Sequence, residues 1–293
     1  MRRVLSCAIA AAALLAATAV HAQESKKLPR VASINVCTDQ LLLALADPSQ
    51  IAGLSPFSRD PASSWFASRA RHFRRLSGEA EDVLMLRPDV VVAGLFSNRA
   101  TRELLIQHGS RVEGFDFAQS VADVRRDILR MGEIVGHPKR AQREVARLDA
   151  ALARMSAAAA GRAYRVLAVE RRGWVTGEHS LLSALLRAAG LVNVAGELGI
   201  AAGGYQSLET IIRLKPDFIV VSDNSDRAED QGEAFLLHPA LERFYPPAKR
   251  IVMPDRMTVC GGTMLVDALD RLTAELARVT AAAAAGGVGN QVR

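Results

Sequence analysis

The sequence predicts an α/β protein of two lobes, each built on a mainly parallel sheet, joined by a single long α-helix. Three observations predict it. One supersecondary unit is written twice, the strands read as unbroken apolar runs, and a stretch between the two copies keeps an apolar stripe at helical spacing. With 293 residues, 49% hydrophobic and 23% charged, the chain has enough apolar material for two modest cores. After the N-terminal segment no apolar run approaches the roughly 20 residues that span a bilayer, which excludes a polytopic membrane protein.

The N-terminus reads as an address label. Arg2 and Arg3 precede an almost wholly apolar segment from Val4 to Val20, and Val20-His-Ala22 offers small residues where a signal peptidase reads. A cleaved signal peptide over 1–22 and an exported, periplasmic protein are expected; an uncleaved anchor is the alternative that the short run and the cleavage site argue against. Cys7 lies near the start of the apolar segment instead of after it, which argues against a lipoprotein. Removal of 1–22 lowers Lys+Arg from 37 to 35 against 31 Asp+Glu, a formal charge of +4 that does not point to nucleic acid. It also leaves two cysteines, Cys37 and Cys260, in a compartment that permits a disulfide.

The first lobe is expected over 28–132. Arg30-Val-Ala-Ser-Ile34 opens it as a strand, Thr38 to Leu45 follows as a helix, and Glu81-Asp-Val-Leu-Met-Leu-Arg-Pro-Asp-Val-Val-Val92 reads as a short acid-headed helix, a turn and a buried strand. Proline ends that helix, because the residue before it resists αR geometry. Arg99 to His108 has a helical pattern and Arg111 to Asp116 reads as the closing strand. Over 133–161 the linking helix starts at Pro138, with Val145, Leu148, Leu152 and Met155 at spacings of three and four. A helical spine predicts limited lobe closure.

The second lobe, 162–279, repeats the first. Glu209-Thr-Ile-Ile-Arg-Leu-Lys-Pro-Asp-Phe-Ile-Val220 matches the earlier unit at five of twelve positions, Arg165 to Val169 echoes Arg30 to Ile34, and Arg250 to Asp255 echoes Arg111 to Asp116. Three echoes in one order, with a helix pattern at Leu181 to Ala189, make both lobes Rossmann-like. The Ala/Gly-rich segment 280–293 is expected to be a flexible tail.

The paired Glu-x-x-(Ile/Val/Leu)-x-Leu-(Arg/Lys)-Pro-Asp segments, the opening Arg30-Val-Ala-Ser-Ile-Asn-Val-Cys-Thr-Asp39 and Trp174-Val-Thr-Gly-Glu-His-Ser180 followed by Ala189-Gly-Leu-Val-Asn193 resemble the periplasmic binding proteins of ABC importers. The resemblance is to the vitamin B12/iron-siderophore class, with its helical spine, and covers about residues 28 to 279. It departs after the first strand, where Asn35-Val-Cys37 and Thr38-Asp39 stand in place of the usual serine-proline and Thr-Glu. The resemblance implies that Glu81 and Glu209, one on each lobe, dock into arginine pockets of a permease dimer driven by a cytoplasmic ATPase. Read without it, the same glutamates simply favour helix N-termini.

Ligands of parallel sheets gather at the carboxyl ends of strands, and in a two-lobed protein those ends face one another across a cleft. That rule selects Asn35 to Asp39, Ser55 to Asp60, Gly94 to Arg99, Glu170 to Trp174 with Gly203 to Gln206, and Arg256 to Gly262. The candidate ligand contacts are Asn35, Cys37, Phe57, Arg59, Phe96, Arg171, Arg172, Trp174, Tyr205, Arg256 and Cys260. Flat aromatic faces suit a corrin, porphyrin or catechol, and guanidinium groups suit amides or anionic chelates. The resemblance supports Phe57 and Trp174 most. Cys37 and Cys260 are open to three readings: a disulfide across the cleft, a metal contact, or a buried inert pair.

The expectation is a monomeric, non-enzymatic binding component that captures a corrinoid or ferric siderophore and delivers it to the permease. No resident cofactor is expected, since the metal arrives inside the chelate. Haem is the alternative within the class. Outside it, a secreted thiol enzyme using Cys37 or Cys260 requires a histidine beside the sulfur and a depressed pKa.

Overall fold

The structure, a computed structural model, describes residues 27–95, 99–159, 161–223 and 233–288; the expected signal peptide lies outside them. In the first lobe the chain forms β1 (Val31–Ser33), α1 (Val36–Leu45), β2 (Ile51–Gly53), α2 (Ala67–Ala70), α3 (Ala80–Leu86), β3 (Val90–Gly94), α4 (Arg99–Gln107), β4 (Val112–Phe115) and α5 (Val121–Ile134). The spine is α6 (Pro138–Ala159). The second lobe holds β5 (Arg165–Ala168), β6 (Trp174–Thr176), α7 (Leu181–Ala188), β7 (Val192–Asn193), β8 (Gly203–Tyr205), α8 (Leu208–Leu214), β9 (Phe218–Val221), α9 (Pro239–Phe244), β10 (Arg250–Val252) and α10 (Leu265–Val288).

Each lobe carries one parallel four-stranded sheet, ordered β2-β1-β3-β4 and β7-β5-β9-β10. The echoes in sequence equate β1 with β5, β3 with β9 and β4 with β10, so both copies use one strand order. An antiparallel pair, β6 with β8, occurs in the second lobe.

The duplicated Leu-basic-Pro-Asp segment has a specific job. Asp89 Oδ2 accepts from Arg30 N–H at 2.7 Å and Asp89 N–H donates to Arg30 O at 2.8 Å; Asp217 and Arg165 make the same pair of bonds, both at 2.8 Å. Each arginine also reaches back to the helix end, Arg30 to Leu86 O and Arg165 to Leu214 O. The unit therefore clips the start of a central strand to the turn before its neighbour. The residue ahead of each proline escapes αR geometry by an unexpected route: Arg87 (φ 46°) and Lys215 (φ 50°) adopt the left-handed conformation as helix C-caps. Each cap N–H bonds back into its helix, to Leu84 O or Ile212 O.

Alternation explains the unbroken apolar strands. Val31, Val90 and Val92 face one core while Ala32, Val91 and Ala93 face another; Val166, Ala168, Phe218 and Val220 oppose Leu167, Ile219 and Val221 in the same way. One core is shared between lobes and includes Leu148, Ala151, Leu152 and Met155 of α6 together with Leu265, Leu269, Leu272 and Leu276 of α10. Helices α5 and α10 both pack on α6. Side chains cover the outer edge of each sheet: Arg130 donates to Gly114 O, Glu275 accepts from Val252 N–H, and Arg278 donates to Arg250 O.

Part of the segment expected as a flexible tail is helical. Helix α10 continues through Val288, since alanine needs no packing partner to favour helix; 289–293 lie outside the described residues. No helix among the described residues is long and apolar enough to cross a membrane.

Candidate binding cleft

The turn after β1 builds the first wall. Asn35 caps α1, its Oδ1 accepting from Cys37 N–H at 2.9 Å and Thr38 N–H at 3.3 Å, and the Thr38 hydroxyl donates back to Asn35 O. Beneath it Asp39 is fully buried, accepting from Ser55 N–H at 3.0 Å and Ser55 Oγ at 2.5 Å. With no cation against it, burial pushes the Asp39 carboxyl up to about 7. The wall continues through Leu95 after β3 and Asp116 and Phe117 after β4; Leu95 is 40% and Phe117 66% exposed, so large apolar surface faces water.

The second wall sets polar acceptors among apolar groups such as Leu181, Leu182 and Val221. Glu170 after β5, Thr176 of β6, Ser222 after β9 and Asp255 after β10 line a cavity of about 410 Å³ whose floor includes buried Met253. The Thr176 hydroxyl donates to Glu170 Oε1 at 2.6 Å. Asp255 is open to cleft water, yet the surrounding protein and the like charges of Glu170 and Asp223 push its carboxyl up to about 6, against the opposing influence of Ser222 and Arg256. A smaller cavity of about 50 Å³ on the first-lobe side shares Ala118 and Val259 with the larger one, so the two adjoin.

At that seam Cys37 and Cys260 are joined as a disulfide, Cα to Cα 5.2 Å, across 223 residues of sequence. Bonded to each other, neither sulfur is a thiolate nucleophile or a metal ligand. A second tie lies nearby: Trp65 Nε1 donates to Asp267 Oδ2 at 2.9 Å, and Arg256, paired with Asp223 at 2.7 Å, sits 5.8 Å over the Trp65 ring.

The other anticipated residues fall as follows. Asn35, Cys37 and Cys260 line the smaller cavity. Phe57 is 59% exposed in the turn after β2 and lines neither cavity. Arg59 is taken up by the Phe73 carbonyl at 2.5 Å. Arg171 and Arg172 occupy an exposed turn before β6, with Arg172 left-handed at φ 56°. Trp174 and Tyr205 pack edge to face, 5.0 Å between centroids, on the β6/β8 ribbon, where a Cβ on Gly203 would meet the indole at 2.4 Å. Both stand outside the two cavity walls, and Phe96 lies outside the described residues.

Sequence reasoning missed Asp116, Phe117, Ser222 and Asp255, although the strand-end rule pointed to them: each lies within three residues of the end of a strand already recognised by its echo. Glu81 and Glu209 are exposed in the first turns of α3 and α8. Its own N–H and the Ser207 hydroxyl hold the Glu209 carboxyl below the usual range.

The family described as "Periplasmic binding protein" matches residues 31–250 of the chain. No curated protein sequence matches it. Among solved structures, the periplasmic heme-binding protein RhuT from Roseiflexus sp. RS-1 superposes with a TM-score of 0.70 at 21% identity, covering 86% of this chain and 99% of that one. A periplasmic heme-binding protein from Pseudomonas aeruginosa gives 0.67 at 25% identity, covering 84% and 92%. The periplasmic vitamin B12-binding protein BtuF of Vibrio cholerae gives 0.65 at 15% identity, covering 86% and 98%.

Proposed function

Because the chain belongs to the periplasmic binding protein family, we propose that it captures a bulky metal chelate in the interlobe cleft and presents it to an ABC permease. The observation that carries this reading is the meeting of two sets of groups at the strand ends: exposed Leu95 and Phe117 line one cavity, the acceptors Glu170, Ser222 and Asp255 line the other, and exposed Val259 lines both. An apolar wall suits the face of a large organic ligand, and a wall of acceptors suits N–H donors at its edge. An amide-fringed corrinoid or a siderophore bearing a protonated amine meets both demands. Haem, which two similar structures are named for binding, carries carboxylates that Glu170 and Asp255 would repel, so it ranks behind them.

Calorimetric titration with cobalamin, ferrioxamine-type siderophores and haem tests the reading, with tight one-to-one binding of one ligand expected and failure of all three refuting it. Glu170→Ala is expected to weaken binding of the matching ligand by about 1–3 kcal/mol, and unchanged affinity would remove the acceptor wall from the site. Exposed Glu81 and Glu209, on pseudo-equivalent helices, supply the permease contacts. Reversing both to lysine is expected to abolish uptake while leaving ligand affinity intact.

A further inference from the structure

Around the C-terminus of α2 the chain places Arg69, Arg71, His72, Arg74 and Arg75 within seven residues, and all five are exposed. The backbone carrying them is fixed to the sheet edge. Leu54 N–H donates to Arg74 O at 2.9 Å, Leu76 N–H donates to Leu54 O at 2.8 Å, and Arg75 pairs in parallel with Leu54. Arg69, His72 and Arg74 border an open groove of about 640 Å³ lined also by the largely buried Ile51 and Ala52 and the half-buried Phe73.

Elsewhere arginines are matched with acids: Arg126 with Asp123, Arg130 with Glu113, Arg165 with Glu197, Arg256 with Asp223. Among the described residues none of Arg69, Arg71, Arg74 and Arg75 has a carboxylate within 4.0 Å. The corresponding stretch of the second lobe, Val194 to Ser207, holds one charged residue, Glu197. Four guanidinium groups lie crowded on one lobe alone, and they equal the whole formal excess of +4 left after removal of 1–22. Ser77 and, at longer range, Arg74 hold the Asp82 carboxyl below the usual range; the rest of the cluster is left to find its counter-charge outside the protein.

We propose that this face docks on an anionic phospholipid surface, its guanidinium groups engaging lipid phosphates while the apolar part of the groove meets the glycerol and acyl boundary. A cationic rim beside Ile51, Ala52 and Phe73 matches an amphiphile better than a fully hydrated phosphate ion. The face adjoins α3, because Ser77 N–H donates to Asp82 Oδ2 at 2.8 Å one residue beyond Glu81. Contact with the bilayer therefore sets the first lobe down beside the helix that carries Glu81, and the pseudo-symmetric second lobe has no such foot.

Co-sedimentation of the protein with phosphatidylethanolamine/phosphatidylglycerol vesicles, compared with phosphatidylcholine vesicles, tests the proposal without any cleft ligand. Selective binding to the anionic vesicles at low salt is expected, with the quadruple variant R69E/R71E/R74E/R75E losing at least about 100-fold in affinity. Raising salt toward about 0.5 M is expected to release the native protein. An unaltered circular-dichroism melt of the variant checks that it is folded, and R69Q/R71Q/R75Q, which leaves Arg74 in place, is expected to lose an intermediate amount. Three results would overturn the proposal: no native binding, equal binding by the reversed variant, or retention that appears only when a permease is reconstituted in the vesicles. The last would assign the face to a protein partner.

Discussion

Asp39 shows how one side chain sets a pH response. Its carboxyl lies among neutral groups, and burial holds its proton to about pH 7, whereas the unfolded chain releases it near the ordinary aspartate value of 3.8. The folded state thus binds more protons between those limits. On this residue's account stability is greatest below about pH 4, falls as pH rises toward about 7 and is flat above. Asp39→Asn keeps an acceptor for Ser55 N–H and removes the titration. Urea unfolding at about pH 5 and about pH 8 is expected to show a smaller stability difference in the variant than in the native protein; equal differences would mean that Asp39 is ionised when folded. The sequence showed Asp39 only as part of a motif, because burial without a counter-ion depends on which loop closes over it. The pairing of Cys37 with Cys260 was open for the same reason: spacing carries no information about two loops brought together from opposite lobes.

At the scale of elements the duplication was legible and its mechanics were not. Identical residues at 88, 89, 216 and 217 announced two copies of one unit, and the shared strand order follows from them. The reason for Asp89 and Asp217 emerges only once each clasps the N–H of Arg30 or Arg165 across the sheet. The turn conformation was also hidden, since a proline rules out αR for its predecessor without choosing what replaces it. A non-glycine residue in the left-handed region is disfavoured by about 1–2 kcal/mol. Lys215→Gly is accordingly expected to be neutral or to stabilise the protein by up to about 1 kcal/mol, read from the thermal midpoint. A loss above that range would show that the lysine side chain has a role its exposed position does not reveal.

For the molecule as a whole, the cleft is bounded by ties that cross it. The spine joins the lobes along one line, the Cys37–Cys260 bond joins them at the cleft floor, and Trp65 joins them to Asp267 and Arg256. Movement that separates the lobes at the floor is blocked, which leaves adjustment of the rim. Replacing both cysteines with serine removes a closed loop of more than 200 residues and is expected to cost about 3–5 kcal/mol. It should also raise amide exchange along the strand-end loops; unchanged exchange with lowered stability would limit the bond to a role in the unfolded chain. The same bond bears on biogenesis. Cys37 emerges early from any translocation channel and stays without its partner until 223 further residues have followed. In the proposed periplasmic setting the bond closes only after residue 260 has crossed, so a chain stalled before that point keeps Cys37 as a free thiol.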